Sequence, residues 1–265
     1  MLRIAISIDD AREDTVRAYR EILKPLCIPM TLNVTTGYVR GENKEEDNPS
    51  DNKPMSLKQL TELAAEPDEL IEFGGHGIKH NNDFNNLIAG VKDLNSIIEP
   101  YGKVVQGIAS PQSKLHTEEI LEHKEELESI GVQYFRTGDR KEQMSFMRRA
   151  FRKANRYVHI PFIYSKTDEP QFVYPGDDFI IYSVCLLRNS RIKELKDMVR
   201  RNVKNEKIEG IIFNFHSVLK PGEDYYEDLY SYDYEAFKYF ARWLKQNERD
   251  NRLKLVKTLD IKKFN

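Results

Sequence analysis

The stretch LRIAISIDD, residues 2–10, is a short and mostly apolar run that ends in two aspartates. A continuous apolar run of this length is typical of a strand buried on both faces, as strands are in parallel sheets. A second run of the same kind, GIIFNFH at residues 210–216, ends in a histidine. Both runs place polar groups directly after the apolar part, where the strands of α/β folds carry their ligand sites.

Strand-like and helix-like patterns alternate along the rest of the chain. Besides the two runs above, strands are predicted at 30–34, 70–73, 103–108, 131–135, near 157–163, at 178–185 and at 253–257. Helices are predicted at 12–24, 56–65, 84–98, 116–129, 141–155, 191–204 and 233–247. Seven or eight β/α units in 265 residues favour an α/β fold with one TIM-barrel-like parallel barrel. An open doubly wound sheet is the alternative, and the lack of a linker predicts a single domain over 1–265.

Composition excludes several classes of protein. The chain has 41 Lys and Arg against 43 Asp and Glu, so its formal net charge of −2 provides no global field for nucleic acid. No apolar run approaches the length of a membrane span, and the first residues lack the pattern of a signal peptide, so we expect a cytoplasmic protein. Cys27 and Cys185 are too few for a disulfide scaffold and are expected to be small buried hydrophobic residues.

Polar groups that suit a metal site follow four of the predicted strands. They are Asp9, Asp10, His76, His80, Asp139 and His216. The i,i+4 spacing of His76 and His80 places both imidazoles on one side of a helical turn. Two neutral imidazoles and one carboxylate suit a borderline divalent ion such as zinc. Each group also has a purely structural interpretation: the aspartates can cap a helix, and the histidines can be buried or solvent-facing.

Three segments, SIDD at 7–10, HGIKH at 76–80 and IIFNFH at 211–216, resemble the motifs of the polysaccharide deacetylases, carbohydrate esterase family 4. IPMTLNV at 28–34 and LKLVKTLDI at 253–261 resemble further strands of that family. The resemblance implies a distorted (β/α) barrel of about seven parallel strands. It also implies one divalent metal ion, zinc first with cobalt, nickel or manganese as alternatives, and removal of N- or O-acetyl groups from carbohydrates.

The resemblance also assigns roles to individual residues. It makes Asp10, His76 and His80 the metal ligands, Asp9 the general base, and His216 the general acid that protonates the leaving amine. This division agrees with physical expectation, because a carboxylate beside a cation has a lowered pKa. A histidine apart from the cation is expected to stay protonated near neutrality.

Two of the family's motifs are changed in this chain. The third normally has the form R-x-P-Y, but the matching segment is Ala109-Ser110-Pro111-Gln112, which lacks the arginine. A backbone donor near Gln112 is expected to survive this change, with Ser110 and Gln112 contacting substrate. The fourth motif matches residues 136–139, and here we expect Arg136 to supply the missing cation and Asp139 to orient His216.

Two surface segments are candidates for substrate recognition. Residues 136–156 carry eight basic side chains against two acidic ones, which indicates either an anion site or the solvated face of an outer helix. Five tyrosines lie between 224 and 234, just after His216. Of these, Tyr225 and Tyr226 are expected to bind a sugar face; the alternative is that the rings pack the following helix.

The sequence therefore predicts a metal-dependent carbohydrate deacetylase. Its expected partner is an acetylated sugar, glycan or sugar nucleotide, with no nucleic acid and no membrane span; the sequence does not determine the oligomeric state. Two alternatives remain open. The chain could be a catalytically silent carbohydrate-binding barrel, favoured by the missing arginine at 109. It could also be another metal hydrolase, such as an amidohydrolase or a phosphoesterase.

Overall fold

Strands and helices alternate along the chain in the computed structural model, which describes residues 1–42, 53–113, 115–138, 140, 146–147, 150, 154 and 171–262. The strands are β1 (Leu2–Ile8), β2 (Met30–Val34), β3 (Ile71–Gly75), β4 (Gly107–Ala109), β5 (Tyr134–Thr137), β6 (Ile180–Tyr182), β7 (Val184–Cys185), β8 (Gly210–Phe215), β9 (Ser217–Leu219), β10 (Ser231–Asp233) and β11 (Leu253–Val256). The α-helices are α1 (Glu13–Ala18), α2 (Thr36–Val39), α3 (Leu57–Ala64), α4 (Phe84–Ile98), α5 (Thr117–Glu122), α6 (Lys124–Ser129), α7 (Ile192–Asn202) and α8 (Tyr234–Arg249).

The main sheet is parallel and almost closed into a barrel. Eight of its strands are hydrogen-bonded in the order β6-β5-β4-β3-β2-β1-β8-β7. The two end strands, β6 and β7, are separated by Ser183 alone, so one extended stretch borders β5 on one side and β8 on the other. The two edges of the sheet therefore meet there. If β6 and β7 are counted as one interrupted strand, the result is a distorted (β/α) barrel of seven parallel strands, as predicted.

β1 is the strand around which the barrel is built. One edge of β1 pairs with β8 over the six residues Arg3–Ile8. Its other edge is shared, because β11 pairs with Leu2–Ala5 and β2 pairs with Ser7 and Ile8. β11 thus enters the sheet beside the first half of β1, which distorts the barrel at the end remote from Asp9.

The barrel interior changes from apolar to polar along the strands. Because side chains alternate between the two faces of a strand, Ala5, Ser7 and Asp9 of β1 and its extension point the same way. Ala5 lies in a small apolar cluster inside the barrel; its other members are Tyr134, Val173, Ile181, Ile212, Val256 and Ile261. Ser7, two residues further along the strand, accepts a hydrogen bond from the Asn33 side chain. The same amide also donates to Asp9, the next residue on this face. Among the described residues of this strand and its neighbours, the buried polar side chains therefore lie toward the carboxyl end.

Most predicted elements are present, with some different bounds. Residues 12–24 form α1 followed by a π-helical turn over Tyr19–Leu23, and the helix predicted at 116–129 divides at His123 into α5 and α6. β4 and β5 begin later than predicted, at Gly107 and Tyr134. The helix predicted at 141–155 and the strand near 157–163 lie largely or wholly outside the described residues. β9 and β10 form a separate two-stranded parallel sheet after His216.

The expectation that both cysteines are buried is wrong. Cys27 is exposed and has a positive φ of 48°, because it lies in the turn that joins the first helical segment to β2. Cys185 is only half-buried at the end of β7. In the described part of the chain, no helix combines the length and the apolar character that a membrane crossing requires.

Candidate metal centre

The polar residues predicted to form a site lie at the carboxyl ends of β1, β3 and β8. Asp9 and Asp10 directly follow β1, and the Asp9 N–H donates to the carbonyl of Phe215 at 2.9 Å, which extends the pairing of β1 with β8. The His76 N–H donates to the carbonyl of Val34 at 3.0 Å, so β3 and β2 also remain paired at this level. His216 follows β8. The regular pairing of the sheet therefore brings Asp9, Asp10, His76 and His216 to the same end of the barrel.

Asp10, His76 and His80 form a buried three-residue group. One ligand atom from each lies within 4.8 Å of the other two. Asp10 Oδ1 is 3.3 Å from His76 Nε2 and 3.4 Å from His80 Nε2. The exposed fractions of the three residues are 0%, 1% and 7%, so water does not satisfy their polar atoms. One carboxylate oxygen thus faces two imidazole nitrogens inside the protein.

The hydrogen bonding of this group fits a metal ion. His76 Nδ1 lies 2.8 Å from the carbonyl of Ala109, which only accepts, so Nδ1 carries a proton and Nε2, which faces Asp10, is the nitrogen left to bind a metal ion. Neither oxygen of Asp10 has a hydrogen-bond partner, and neither does His76 Nε2. Two acceptor atoms at 3.3 Å repel each other unless a proton or a cation lies between them. A His₂Asp set with three ligands suits zinc and leaves further positions for water and substrate.

The loop that carries both histidines is not a helical turn, so the structural reason predicted for their spacing is wrong. Residues 76–80 form an irregular loop in which Gly77 has a φ of 82°, a conformation that favours glycine. Asn86 of α4 holds this loop: its side chain accepts from the Lys79 N–H and donates to the Lys79 carbonyl, both at 2.8 Å. A Cβ on Gly90 would lie only 2.5 Å from Gly77, so α4 packs directly beneath the loop.

The electrostatics of the ligands agree with metal binding. Burial raises the pKa of Asp10, but His76, Arg12 and His80 outweigh this effect and hold it well below its usual range, so the carboxylate is ionised. Burial lowers the pKa of His80 to about 4, so this imidazole is neutral at pH 7. The pKa of His76 is raised, because the carboxylates of Asp10 and Asp9 outweigh the opposing effect of burial. A metal ion therefore has to displace a proton from His76 when it binds.

Asp9 is held by donors from three different strands. Arg136 Nη2 of β5 lies 2.7 Å from Asp9 Oδ1 and 2.6 Å from Oδ2. The side-chain amide of Asn33 on β2 donates to Oδ1 at 2.8 Å, and that of Asn214 on β8 donates to Oδ2 at 3.0 Å. Arg136 is itself held by Ser183, which accepts from Nη1 at 2.6 Å. Burial raises the pKa of Asp9, but the charge of Arg136 first, and then His76 and His216, outweigh this effect and lower it.

The sequence analysis did not identify Asn33 and Asn214 as site residues. The structure places Arg136 against Asp9. The two asparagines share a signal that could have found them: each is the one amide in an otherwise apolar strand, MTLNV at 30–34 and GIIFNF at 210–215. A buried amide requires a partner. Arg12, which lies beside Asp10, was missed as well.

His216 lies on the other side of Asp9 from the interior of the barrel. Its Nε2 is 4.0 Å from Asp9 Oδ2, and its ring centroid is 4.9 Å from that of Tyr230. Burial lowers the pKa of His216 below its usual value. This direction runs against the expectation that His216 stays protonated near neutrality, because burial disfavours the charged imidazole more than the neighbouring carboxylates favour it.

The residues predicted to contact substrate after β4 lie in a tight turn. Ser110 is buried; its N–H donates to the carbonyl of Arg136 at 2.8 Å, and its hydroxyl donates to Asn82 at 2.9 Å. Gln112 is exposed and has a φ of 55°. Ser110 therefore links β4 to β5 and to the loop that follows His80, whereas the Gln112 side chain is accessible to a ligand.

The predicted tyrosine pair does not include the ring that contacts the site. Tyr226 donates to Asp233 at 2.6 Å and lies beneath the guanidinium of Arg188, which is a packing role. Tyr225 is 42% exposed on a separate groove of about 1000 Å³ beside α1. Tyr230 is the ring in contact with His216. Asp139 and most of the basic segment at 136–156 lie outside the described residues.

Solved structures of carbohydrate-active enzymes have similar folds. A family 4 acetyl xylan esterase from Clostridium thermocellum, solved with a cobalt ion, aligns over 98% of this chain and 89% of its own, with a TM-score of 0.50 and 12% identity. A 4-alpha-glucanotransferase from Thermococcus litoralis also aligns over 98% of this chain, with a TM-score of 0.54 and 11% identity. A polysaccharide deacetylase from Bacillus cereus aligns over 51% of this chain, with a TM-score of 0.39 and 17% identity. No protein-family model and no curated protein sequence matches the chain.

These likenesses concern architecture. The alignments cover 40% of the length of both the glucanotransferase and the Bacillus cereus deacetylase. An esterase and a glucanotransferase share the same barrel, so the fold does not decide between their reactions, and the chemistry has to be argued from the site. This chain has the same distorted barrel fold as the family 4 carbohydrate esterases.

Proposed function

We propose that this protein is a metal-dependent hydrolase that removes an acetyl group from an N- or O-acetylated carbohydrate. The observation that carries the proposal is the buried Asp10, His76 and His80 group, whose ligand atoms lie close enough together to bind one metal ion. Asp9 and His216 lie beside this group and supply carboxylate and imidazole for proton transfer. The fold that this chain shares with a family 4 esterase supports the same proposed function.

The metal is proposed to be zinc, with cobalt, nickel or manganese as alternatives. Bound by Asp10, His76 and His80, such an ion supplies a polarised acetyl carbonyl and a water of lowered pKa. The protein contributes the orientation of the ligands: the Ala109 carbonyl fixes the tautomer of His76, and Asn86 fixes the loop that carries His80.

Asp9 and His216 carry the protons of the hydrolysis. Water adds across the bond between the acetyl carbon and the sugar nitrogen or oxygen; acetate leaves with the water oxygen, and the sugar leaves with one proton. Asp9 accepts the proton of the attacking water. Because burial lowers the pKa of His216, the proton that it donates to the leaving group is proposed to arrive during turnover, and Asp9 Oδ2 at 4.0 Å is positioned to supply it.

Arg136 is proposed to position Asp9. It contacts both carboxylate oxygens from β5, so it serves the purpose of the arginine that is missing at Ala109. This contact removes the main argument for a catalytically silent barrel, because the base is held by a charged partner after all. Asp139 remains proposed as the residue that orients His216, and Gln112 as a backbone donor to the acetyl oxygen.

The substrate is proposed to be an acetylated sugar, glycan or sugar nucleotide. Tyr230 offers an aromatic ring next to His216, and such rings stack on sugar faces. Tyr225 and Tyr226 are retained only as more distant contacts. Glucanotransferase activity is not proposed, because glycosyl transfer uses two carboxylates that flank the scissile bond. Both site carboxylates are engaged here, Asp9 with Arg136 and Asp10 with two imidazoles.

The decisive experiment measures acetate released from a panel of N- and O-acetylated sugars by metal-loaded protein. H216N is the test variant, and H116N, at the exposed histidine that precedes α5 as its N-cap, is the matched control. We expect metal-dependent acetate release that H216N reduces at least about 100-fold and H116N leaves unchanged. Bound metal without acetate release would favour a binding barrel. Release of phosphate or ammonia from suitable substrates would favour another metal hydrolase.

A further inference from the structure

A second buried arginine lies on the ligand Asp10. Arg12 and Asp10 are both fully buried, and Arg12 Nη2 is 3.6 Å from Asp10 Oδ2. Asp10 and Ala11 have φ values of 72° and 56°, so two successive left-handed residues turn the chain back on itself after β1. Hydrogen bonds from Met55 to Ala11 and from Glu13 to Lys53 hold the turn in this conformation.

The two oxygens of Asp10 therefore face two different sets of nitrogen groups. Oδ1 faces the imidazole nitrogens of His76 and His80, and Oδ2 faces the guanidinium of Arg12. The guanidinium also lies 5.1 Å from the centroid of Tyr38, whose ring stacks on His80 at 6.5 Å. Arg12 is thus packed between a ligand carboxylate and an aromatic ring that supports another ligand, and it cannot move into solvent without disrupting both contacts.

This arrangement creates opposing effects on a metal ion. A partner that orients a ligand carboxylate ordinarily raises metal affinity by about 10- to 100-fold. A permanent positive charge on the same buried carboxylate repels a divalent ion, and water and salt screen this repulsion little inside the protein. The separation of 3.6 Å is longer than a hydrogen bond, so the orienting effect is weak, whereas the repulsion acts over longer distances. The repulsion is therefore the larger effect.

We propose that Arg12 is a built-in counter-cation that stabilises the metal-free protein and weakens metal binding. The inference rests on the proposed metal site at Asp10. Without an ion, Arg12 compensates the buried carboxylate; with an ion, the two cations compete for it. The consequence is an exchangeable metal, whose occupancy follows the free metal concentration rather than being permanent.

The test compares R12M, which keeps a long apolar side chain without charge, with R12K, which keeps the charge. R20M, at an arginine whose side chain is 43% exposed and paired with Glu62, is the matched control. Zinc affinity is measured by competition with a chromophoric chelator, and thermal unfolding is followed with and without saturating zinc. We expect R12M to bind zinc at least about tenfold more tightly than the wild type. R12K and R20M should stay within about threefold of the wild type, and metal-free R12M should unfold at a lower temperature.

Equal or weaker binding by R12M would overturn the proposal and make Arg12 an orienting residue. If metal-free R12M does not fold, it is refolded with zinc, and the rate of zinc loss to excess EDTA is compared with that of the wild type. Slower loss supports the proposal, and equal or faster loss overturns it. If wild type and D10N both fail to bind zinc, the proposed metal site itself is wrong. If the wild type binds zinc and D10N does not, a negative R12M result refutes only the role of Arg12.

Discussion

Glu72 of β3 is a buried acid whose substitution should change the pH dependence of stability. It is 4% exposed, accepts a hydrogen bond from the Tyr134 hydroxyl, and accepts another from the Leu259 N–H at 3.0 Å. Burial raises its pKa from about 4.5 to about 7, although both hydrogen bonds oppose the shift. At mildly acidic pH, the folded protein therefore keeps a proton on Glu72, whereas the unfolded chain has already released it.

The sign and size of the effect follow from this difference. Between the two pKa values the unfolded chain binds fewer protons than the folded protein, so the free energy of unfolding falls as pH rises. Each pKa unit corresponds to about 1.4 kcal/mol. The difference between 4.5 and about 7 therefore lowers the free energy of unfolding by about 3 kcal/mol once the pH exceeds both values. Glutamine at this position resembles the protonated acid and does not titrate. Between about pH 5 and pH 8, the free energy of unfolding of E72Q should therefore rise by about 2 to 3 kcal/mol relative to that of the wild type.

Urea unfolding of wild type and E72Q at several pH values, in the presence of a chelator, measures this difference directly. The control is E62Q on α3, where the carboxylate side chain is 41% exposed and solvated in both states. E62Q should show no comparable trend. A difference between E72Q and wild type that does not change with pH, or that changes in the opposite direction, would refute the assignment of a protonated Glu72 inside the barrel.

Three further predictions concern the site and the fold. R136M should lower the turnover number for acetate release by about 100-fold through misplacement of Asp9, with zinc content unchanged by elemental analysis; loss of zinc as well would contradict a role confined to Asp9. D10N and H76Q should each abolish stoichiometric zinc binding, and retention of zinc by both would exclude the ligand set. S56A should lower the free energy of unfolding by about 1 kcal/mol, because Ser56 accepts from the Gln59 N–H at 3.2 Å as the cap of α3. An unchanged urea midpoint would show that this cap contributes nothing.

The sequence alone was sufficient for the elements whose signal is local. The mostly apolar runs at 2–8, 30–34 and 210–215 correspond residue for residue to β1, β2 and β8, because strands buried on both faces are rich in apolar residues. The helix predicted at 84–98 coincides with α4, whose cap Asp83 accepts from the Asn86 N–H. The polar residues that follow β1 and β3 also led to the prediction of Asp10, His76 and His80 as one group, and these three lie together in the structure.

The tertiary structure decided everything that depends on which side chains meet across the barrel. Asn33, Arg136 and Asn214 are more than 75 residues apart in sequence, yet all three donate to Asp9, because the barrel brings β2, β5 and β8 around it. No periodicity reports a contact of this kind. Burial likewise lowered the pKa of His216 and placed Arg12 on a ligand carboxylate, since the cost of burying a charge is set by the whole surroundings of a group and not by its sequence neighbours.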